Sequence, residues 1–276
     1  MLSETEQPAT PISPPIKWPG GKRSLASKIL QFIPKEFDTY YEPFLGGGAV
    51  FFSLRPSKAV LSDTNENLIN AYTQIRDNHS ALIKSIKSLK NTEEDYYKIR
   101  SSKPRTELTK AARMLYLSRL AFNGIHRVNL KGEFNVPYGK KIDLSSVNET
   151  QISEASLALR KSVLRLCDFE TATLEASEND VVFFDPPYTV AHANNGFVKY
   201  NEKIFSWQDQ IRLADHSKRL ASKGCTVIIS NADHKSIRDL YSDFECHIVQ
   251  RHSVIAASSD HRRQITECIF TLGGAI

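Results

Sequence analysis

Residues 181–184 read Val-Val-Phe-Phe and run directly into Asp185-Pro186-Pro187-Tyr188. Four consecutive apolar residues make a strand that is apolar on both faces, and such a strand belongs inside a parallel sheet covered by helices on both sides. The tetrapeptide then stands at the strand's carboxyl end, where open α/β sheets bind their ligands. A carboxylate, a rigid turn and an aromatic ring at that place suit a narrow chemistry. An amine conjugated to a heterocycle is a poor nucleophile until acceptors such as Asp185 Oδ and the Pro186 carbonyl draw its lone pair out of the ring plane. Tyr188 would stack on the ring, with its hydroxyl dispensable. An Asp-Pro-Pro turn can also simply end a strand, so the rest of the chain has to decide.

The chain around that strand alternates in the way an α/β sheet requires. Residues 39–44 read as a strand that enters Leu45-Gly46-Gly47-Gly48, followed by an apolar helix from Ala49. A dinucleotide fingerprint would place a third glycine at position 51, where Phe51 stands, so a dehydrogenase is disfavoured. The remaining Phe44-x-Gly46-x-Gly48 pattern suits a nucleoside without a pyrophosphate. A second strand over 59–61 ends near Asp63, whose carboxylate could accept from ribose hydroxyls or cap the next helix. Further strands are expected at 163–167, 226–230, 246–250 and 265–272, with a helix at 207–221.

Ahead of this pattern, residues 1–15 carry four prolines without periodicity and read as a disordered lead-in. Lys17-Trp18-Pro19-Gly20-Gly21-Lys22 then forms a turn with cations at both ends. It opens a helix whose apolar residues Leu25, Ile29, Phe32 and Ile33 share a face. Helical spacing resumes from Leu68 to Leu89, at 108–122 and at 151–161, interrupting the α/β alternation. Between these helices, residues 122–139 mix aromatics, amides, glycines and basic residues, the pattern of a loop or hairpin suited to a nucleic-acid groove. Residues 98–141 hold 11 Lys/Arg against only Glu107 and Glu133, within a chain of net charge +5. A basic segment on a mildly acidic body is the footprint of a polyanion binder. The polar stretch 189–206 is long enough for a mobile substrate loop.

Composition bounds the rest. The four cysteines lie too far apart for a zinc or redox signature, the eight histidines lack metal-ligand spacing, and no apolar run is long enough to span a membrane. A reduced cytoplasm, no metal, no membrane and a monomer are the expectations.

The set Lys17-Trp18-Pro-Gly-Gly-Lys22, Glu42-Pro-Phe44-x-Gly46-x-Gly48, Asp63-x-Asn65, Asn123-Gly124-x-x-Arg127-x-Asn129 through Phe134-Asn-Val-Pro137-Tyr-Gly139, and Asp185-Pro-Pro-Tyr188 resembles the Dam-type (D12 class) DNA adenine-N6 methyltransferases. The likeness runs from about Ile16 to Phe270. It implies an α/β, Rossmann-like sheet of the S-adenosylmethionine-dependent methyltransferase type, interrupted by a helical target-recognition domain with a hairpin. The implied catalytic domain is 16–75 and 150–276, and the target-recognition domain 76–149. Its implied activity is methylation of N6 of a flipped adenine in double-stranded DNA, within GATC, in settings that include restriction-modification.

By the same resemblance Trp18, Lys22, Asp63 and Asp185 would bind the cofactor, with Phe44, Gly46 and Gly48 as its floor and Asp168 and Phe169 around its adenine. Asp185, Pro186, Pro187 and Tyr188 would hold the base. Lys17, Phe122, Asn123, Ile125, Arg127, Asn129 and Pro137 would meet DNA, with Arg127 and Lys17 reading guanines and Phe122 and Ile125 wedging near the opened step. Flipping fits the physics, because N6 inside a stacked duplex cannot reach a donor held in a protein crevice. Pro19, Phe122 and the 189–206 stretch depart from the commoner family residues, which bears on the target sequence more than on the reaction. A cytosine-N4 methyltransferase could use the same four residues, and a non-catalytic DNA-binding module would need only the basic hairpin.

Overall fold

The computed structural model describes residues 12–129, 131–141, 145, 147–189, 205–252 and 264–273. The strands are β1 (Tyr40–Glu42), β2 (Ala59–Asp63), β3 (Ser162–Leu166), β4 (Val181–Phe184), β5 (Thr226–Ala232), β6 (Glu245–His252) and β7 (Gln264–Leu272). Among the described residues they form a seven-stranded sheet in the order β3-β2-β1-β4-β5-β7-β6. Strands β2, β1, β4 and β5 pair in parallel, whereas β7 lies antiparallel to both β5 and β6. This is a Rossmann-like α/β sheet, and the order steps outward from β1 on one side and from β4 on the other. The crevice at that switch is where such sheets bind ligands.

The chain divides into two compact units. Met1–Arg23, Gly46–Ser57 and Asp63–Leu166 make the first, and Ser24–Leu45, Lys58–Ser62 and Cys167–Ile276 the second. The second is built on the central strands. All four residues of β4 are buried, as their apolar run requires. Buried Asp180 ties the starts of β1 and β4 together by accepting from the Thr39 and Ser177 amides at 2.9 Å each. Helix α8 (Trp207–Ser222) opens with a capping box in which Ser206 and Asp209 satisfy each other's backbone N–H groups. It buries Leu213, Ala214 and Leu220, and its Leu213, Ala214 and Leu220 share a core with Val182, Phe184, Val227 and Ile229 of the sheet.

The first unit is mainly helical. Helix α3 (Glu66–Lys87) starts at Asn65, whose side chain accepts from the Leu68 amide. It is not the continuous helix that the spacing from Leu68 to Leu89 suggests, because Asn78 leaves helical φ/ψ and breaks it. Helix α4 (Glu93–Ser101) was not foreshadowed by the sequence pattern. It buries a single residue, Tyr96, so no apolar period announces it. Helix α5 (Glu107–Leu120), held by a Thr106/Thr109 capping box, packs Tyr116, Leu117 and Leu120 with Tyr96 and with Phe134, Val136 and Tyr138 of the segment that follows.

That segment is a hairpin rather than an open loop. Ala121 bridges Tyr138 and Val128 bridges Phe134, both antiparallel. Gly139 sits at its base, where a Cβ would come within 2.8 Å of the Leu120 and Ala121 carbonyls. The lead-in also ends earlier than its prolines suggest. Ile12 and Pro14 are buried, and the Ile12 amide donates to the Phe52 carbonyl at 3.1 Å. Residues 1–11 lie outside the described residues, as do 190–204 of the expected substrate loop.

One buried group in α8 makes stability depend on pH. Arg219 Nη2 lies 3.3 Å from His216 Nδ1, which is therefore the acceptor, and Nε2–H donates to Thr173 Oγ1 at 2.7 Å. Burial, and then the charges of Arg219 and Lys223, lower the His216 pKa from 6.5 to about 4. As pH falls the unfolded chain takes up this proton first, so the contribution is whole above pH 6.5 and is lost toward pH 4. The melting temperature is expected to fall by about 5 °C between pH 7 and pH 5, and His216→Gln should flatten that slope. An identical slope in the variant would remove His216 from this account.

Candidate active site

In the second unit the carboxyl ends of β1, β4 and β5 gather the residues that carry chemistry. Phe44 follows β1, Asp185 to Tyr188 follow β4, and Ser230 and Asn231 lie near the end of β5. Glu267 enters from β7, opposite Ala232 in the β5–β7 register. Ser230 Oγ donates to Asp185 Oδ1 at 2.6 Å, and the Tyr188 hydroxyl donates to Glu267 Oε2 at 2.7 Å. Gln210 of α8 reaches the Pro187 carbonyl at 3.4 Å and Thr189 Oγ1 at 3.0 Å, and its own amide oxygen accepts from Asn231 Nδ2 at 3.0 Å. The Asp-Pro-Pro-Tyr turn is thus held by side chains from two strands and a helix. The Tyr188 hydroxyl, expected to be dispensable, is engaged.

Beneath this turn lies an aromatic cluster. Phe44 stacks on Phe169 at 5.6 Å between centroids and meets Phe205 edge-on at 5.4 Å. Phe169 is buried, with the Arg212 guanidinium 4.6 Å above its ring. Asp168 is the N-cap of α7 (Phe169–Ala172), accepts from the Thr171 amide at 3.1 Å and pairs with Arg212 at 2.9 Å. Burial and the neighbouring Glu42 push the Tyr40 hydroxyl well above its ordinary pKa. That hydroxyl donates to Glu42 at 2.8 Å below the strand ends.

In the first unit the glycine turn meets Trp18. Gly46 has a left-handed φ of +47°, and a Cβ there would lie 2.9 Å from Trp18 Cδ1. Asp63 holds this turn, because its Oδ2 accepts from the Gly46 amide at 3.1 Å while Oδ1 accepts from the Asn65 amide at 2.9 Å. Burial raises the Asp63 pKa, and these backbone donors oppose the rise. Tyr72 adds a hydrogen bond to the Gly46 carbonyl at 3.1 Å. Gly48, also left-handed, is the N-cap position of α2 (Ala49–Leu54). Lys22 is buried and donates to the Gly20 carbonyl at 3.0 Å.

The hairpin lies in this unit too. Trp18 stacks on His126 at 4.5 Å, and burial lowers the His126 pKa to about 4, so the stack is between neutral rings. The Lys17 amide donates to Ser118 Oγ at 3.1 Å, and a Cβ on Gly124 would strike the Lys17 side chain, so Lys17 sits at the hairpin's start. Arg127 is exposed and its Nε donates to Asn135 Oδ1 at 2.8 Å. Phe122 and Asn123 are exposed, and Asn123 has a φ of +53°. Half-buried Ile125 packs against the hairpin core, Pro137 is exposed, and the Asn129 side-chain amide closes the turn by binding Lys131 and Glu133.

Sequence reading missed Ser230, Glu267, Gln210, Arg212, His126 and Asn135. Two of them left a signal. Ser230-Asn231 is a polar pair closing the apolar run Val227-Ile228-Ile229, and Glu267 is an acid inside a mostly apolar strand.

Residues 18–255 match the family model described as D12 class N6 adenine-specific DNA methyltransferase. The chain is 40% identical to "Type II methyltransferase M1.LlaDCHI" of Lactococcus lactis subsp. cremoris, covering 94% of this chain and 95% of that one. It is 33% identical to "Type II methyltransferase M.MjaIII" of Methanocaldococcus jannaschii, over 91% and 96%. It is 29% identical to "DNA adenine methylase" of Escherichia coli K12, over 92% and 93%.

Proposed function

The chain belongs to the D12 class N6 adenine-specific DNA methyltransferases, and from that premise we propose that it methylates a flipped adenine of GATC in double-stranded DNA with S-adenosylmethionine as donor. The observation that carries the proposal is the Asp185-Pro186-Pro187-Tyr188 turn at the carboxyl end of a buried central strand, with its carboxylate and its ring each fixed by a hydrogen bond. The Asp185 carboxylate and the Pro186 carbonyl accept from the N6 amine and localise its lone pair. Tyr188 stacks on the base, replacing part of the stacking lost on flipping.

S-adenosylmethionine, when bound, supplies the electrophilic methyl group. The residue types in each unit suit parts of that molecule: in the first, Asp63 offers a carboxylate for hydroxyl or ammonium groups, Lys22 a cation for a carboxylate and Trp18 an aromatic surface for a nucleoside; in the second, Asp185 offers a carboxylate and Phe44 an aromatic surface. Gly46 and Gly48 keep the turn beside Trp18 clear of side chains. Asp168, through its capped helix, and Phe169, through its stack on Phe44, support the aromatic surface of the second unit. Residues 16–75 and 150–276 serve catalysis in this reading, and 76–149 serve target recognition.

Arg127 reads a guanine, because a guanidinium can grip O6 and N7 together in the major groove. Its Nε is already oriented by Asn135. Lys17, at the hairpin's start, takes a second base pair, and exposed Phe122 serves as the wedge. Sequencing methylated genomic DNA from cells expressing each protein tests this. Wild type should mark GATC. Arg127→Ala should accept substitutions at one G·C pair, with a discrimination loss of about 1–3 kcal/mol. A wild-type motif other than GATC would refute the target. Uniformly weaker methylation with an unchanged motif would move Arg127 to the phosphate backbone.

A further inference from the structure

We propose that Glu267 and Ser230 are positioning residues that hold the Asp185–Tyr188 turn in its reactive pose, an inference that rests on the assignment of that turn to the base. The two sit on neighbouring antiparallel strands and grip opposite ends of the tetrapeptide. Glu267 is 1% exposed and Ser230 is fully buried. A carboxylate at that depth is costly unless it is hydrogen-bonded, and β7 places this one at 2.7 Å from the Tyr188 hydroxyl. The hydroxyl lies on the long axis of the ring at the end farthest from the backbone, so a bond there fixes where the ring stands. A stacking surface needs its place set before the base arrives.

Ser230 does the same for the carboxylate. A donor 2.6 Å from Oδ1 sets the rotation of the Asp185 carboxyl group, so its direction toward an amine need not be found during the reaction. Gln210, braced by Asn231, steadies the Pro187 carbonyl between these two points.

Single-turnover methylation of a GATC duplex at saturating cofactor separates positioning from mere stability. Glu267→Met removes the acceptor at similar volume and should slow the single-turnover rate by roughly tenfold or more, with cofactor affinity unchanged. Glu267→Gln retains an acceptor and should recover most of that loss. Tyr188→Phe should reproduce the effect, and combining it with Glu267→Met should add little to the rate loss, because each variant removes the bond between the two residues. Ser230→Ala should slow the same step. With 2-aminopurine at the target, Glu267→Met should leave the flipped base less quenched.

Wild-type single-turnover rates in Glu267→Met and Tyr188→Phe would overturn the proposal, as would fully additive losses in the double variant. Should Glu267→Met fail to fold, Tyr188→Phe decides alone, since it deletes one oxygen from a half-buried side chain. Asp185→Ala distinguishes the two levels. An active Asp185→Ala would remove the underlying assignment. An inactive one, beside wild-type rates at positions 188, 230 and 267, would remove only the positioning role.

Discussion

Asp185→Ala is expected to abolish methyl transfer while leaving a folded protein. Asp185 stands just past β4, outside the apolar core formed by Val182, Phe184, Val227 and Ile229, so the sheet does not depend on it. The carboxylate contributes where the amine gains nucleophilicity. Removing one preorganised hydrogen-bonding group from a reacting centre commonly costs about 2.7–4 kcal/mol, or roughly 100- to 1,000-fold in rate. Any contact to the donor lost with it adds to that. Turnover within a few fold of wild type, in a variant of unchanged circular dichroism, would refute the assignment.

The second large effect is expected at Asp63, and it should appear in cofactor affinity. Its two oxygens accept from the Gly46 and Asn65 amides, one securing the left-handed glycine turn beside Trp18 and the other the start of α3. Asp63→Ala leaves both amides without that acceptor, at about 1–3 kcal/mol for each group that stays buried, and also removes a carboxylate proposed to hold the donor. Isothermal titration with S-adenosylmethionine should show affinity reduced by about 100-fold. Asp63→Asn should fall between, since its amide oxygen can replace only one acceptor. An unchanged dissociation constant in Asp63→Ala would exclude the residue from the cofactor site and leave it a turn-holding role.

How much of this was legible beforehand differs from element to element, for physical reasons. Strand β4 was readable to its ends because both of its faces are buried, so apolar residues fill every position. The strand expected over 39–44 shortens to Tyr40–Glu42, since Pro43 has no amide to donate to a ladder. Helix α4 and the short helix α9 (Lys235–Leu240) bury one residue each, Tyr96 and Ile237, and so carry no periodic signal.

The site divides in the same manner. Residues contiguous in a motif, such as Trp18, Gly46, Asp63 and Asp185, could be named from the chain. Ser230 and Glu267 could not, because they meet the tetrapeptide only through the pairing of β4 with β5 and of β5 with β7. The bond made by the Tyr188 hydroxyl was illegible for that reason: its partner is a carboxylate 79 residues away. Asn129, expected from its motif to meet DNA, also closes the hairpin turn through its side-chain amide, a role the motif does not announce.

The central claim is that the Asp185–Tyr188 turn acts on the exocyclic amine of adenine. Its most direct test is to incubate the purified protein with S-adenosylmethionine carrying a labelled methyl group and a GATC duplex, digest the DNA to nucleosides and separate them. The label is expected in N6-methyladenine alone, and to be absent when Asp185→Ala replaces the wild type. Label in N4-methylcytosine, no label from the wild type, or undiminished N6-methyladenine from Asp185→Ala would contradict the account.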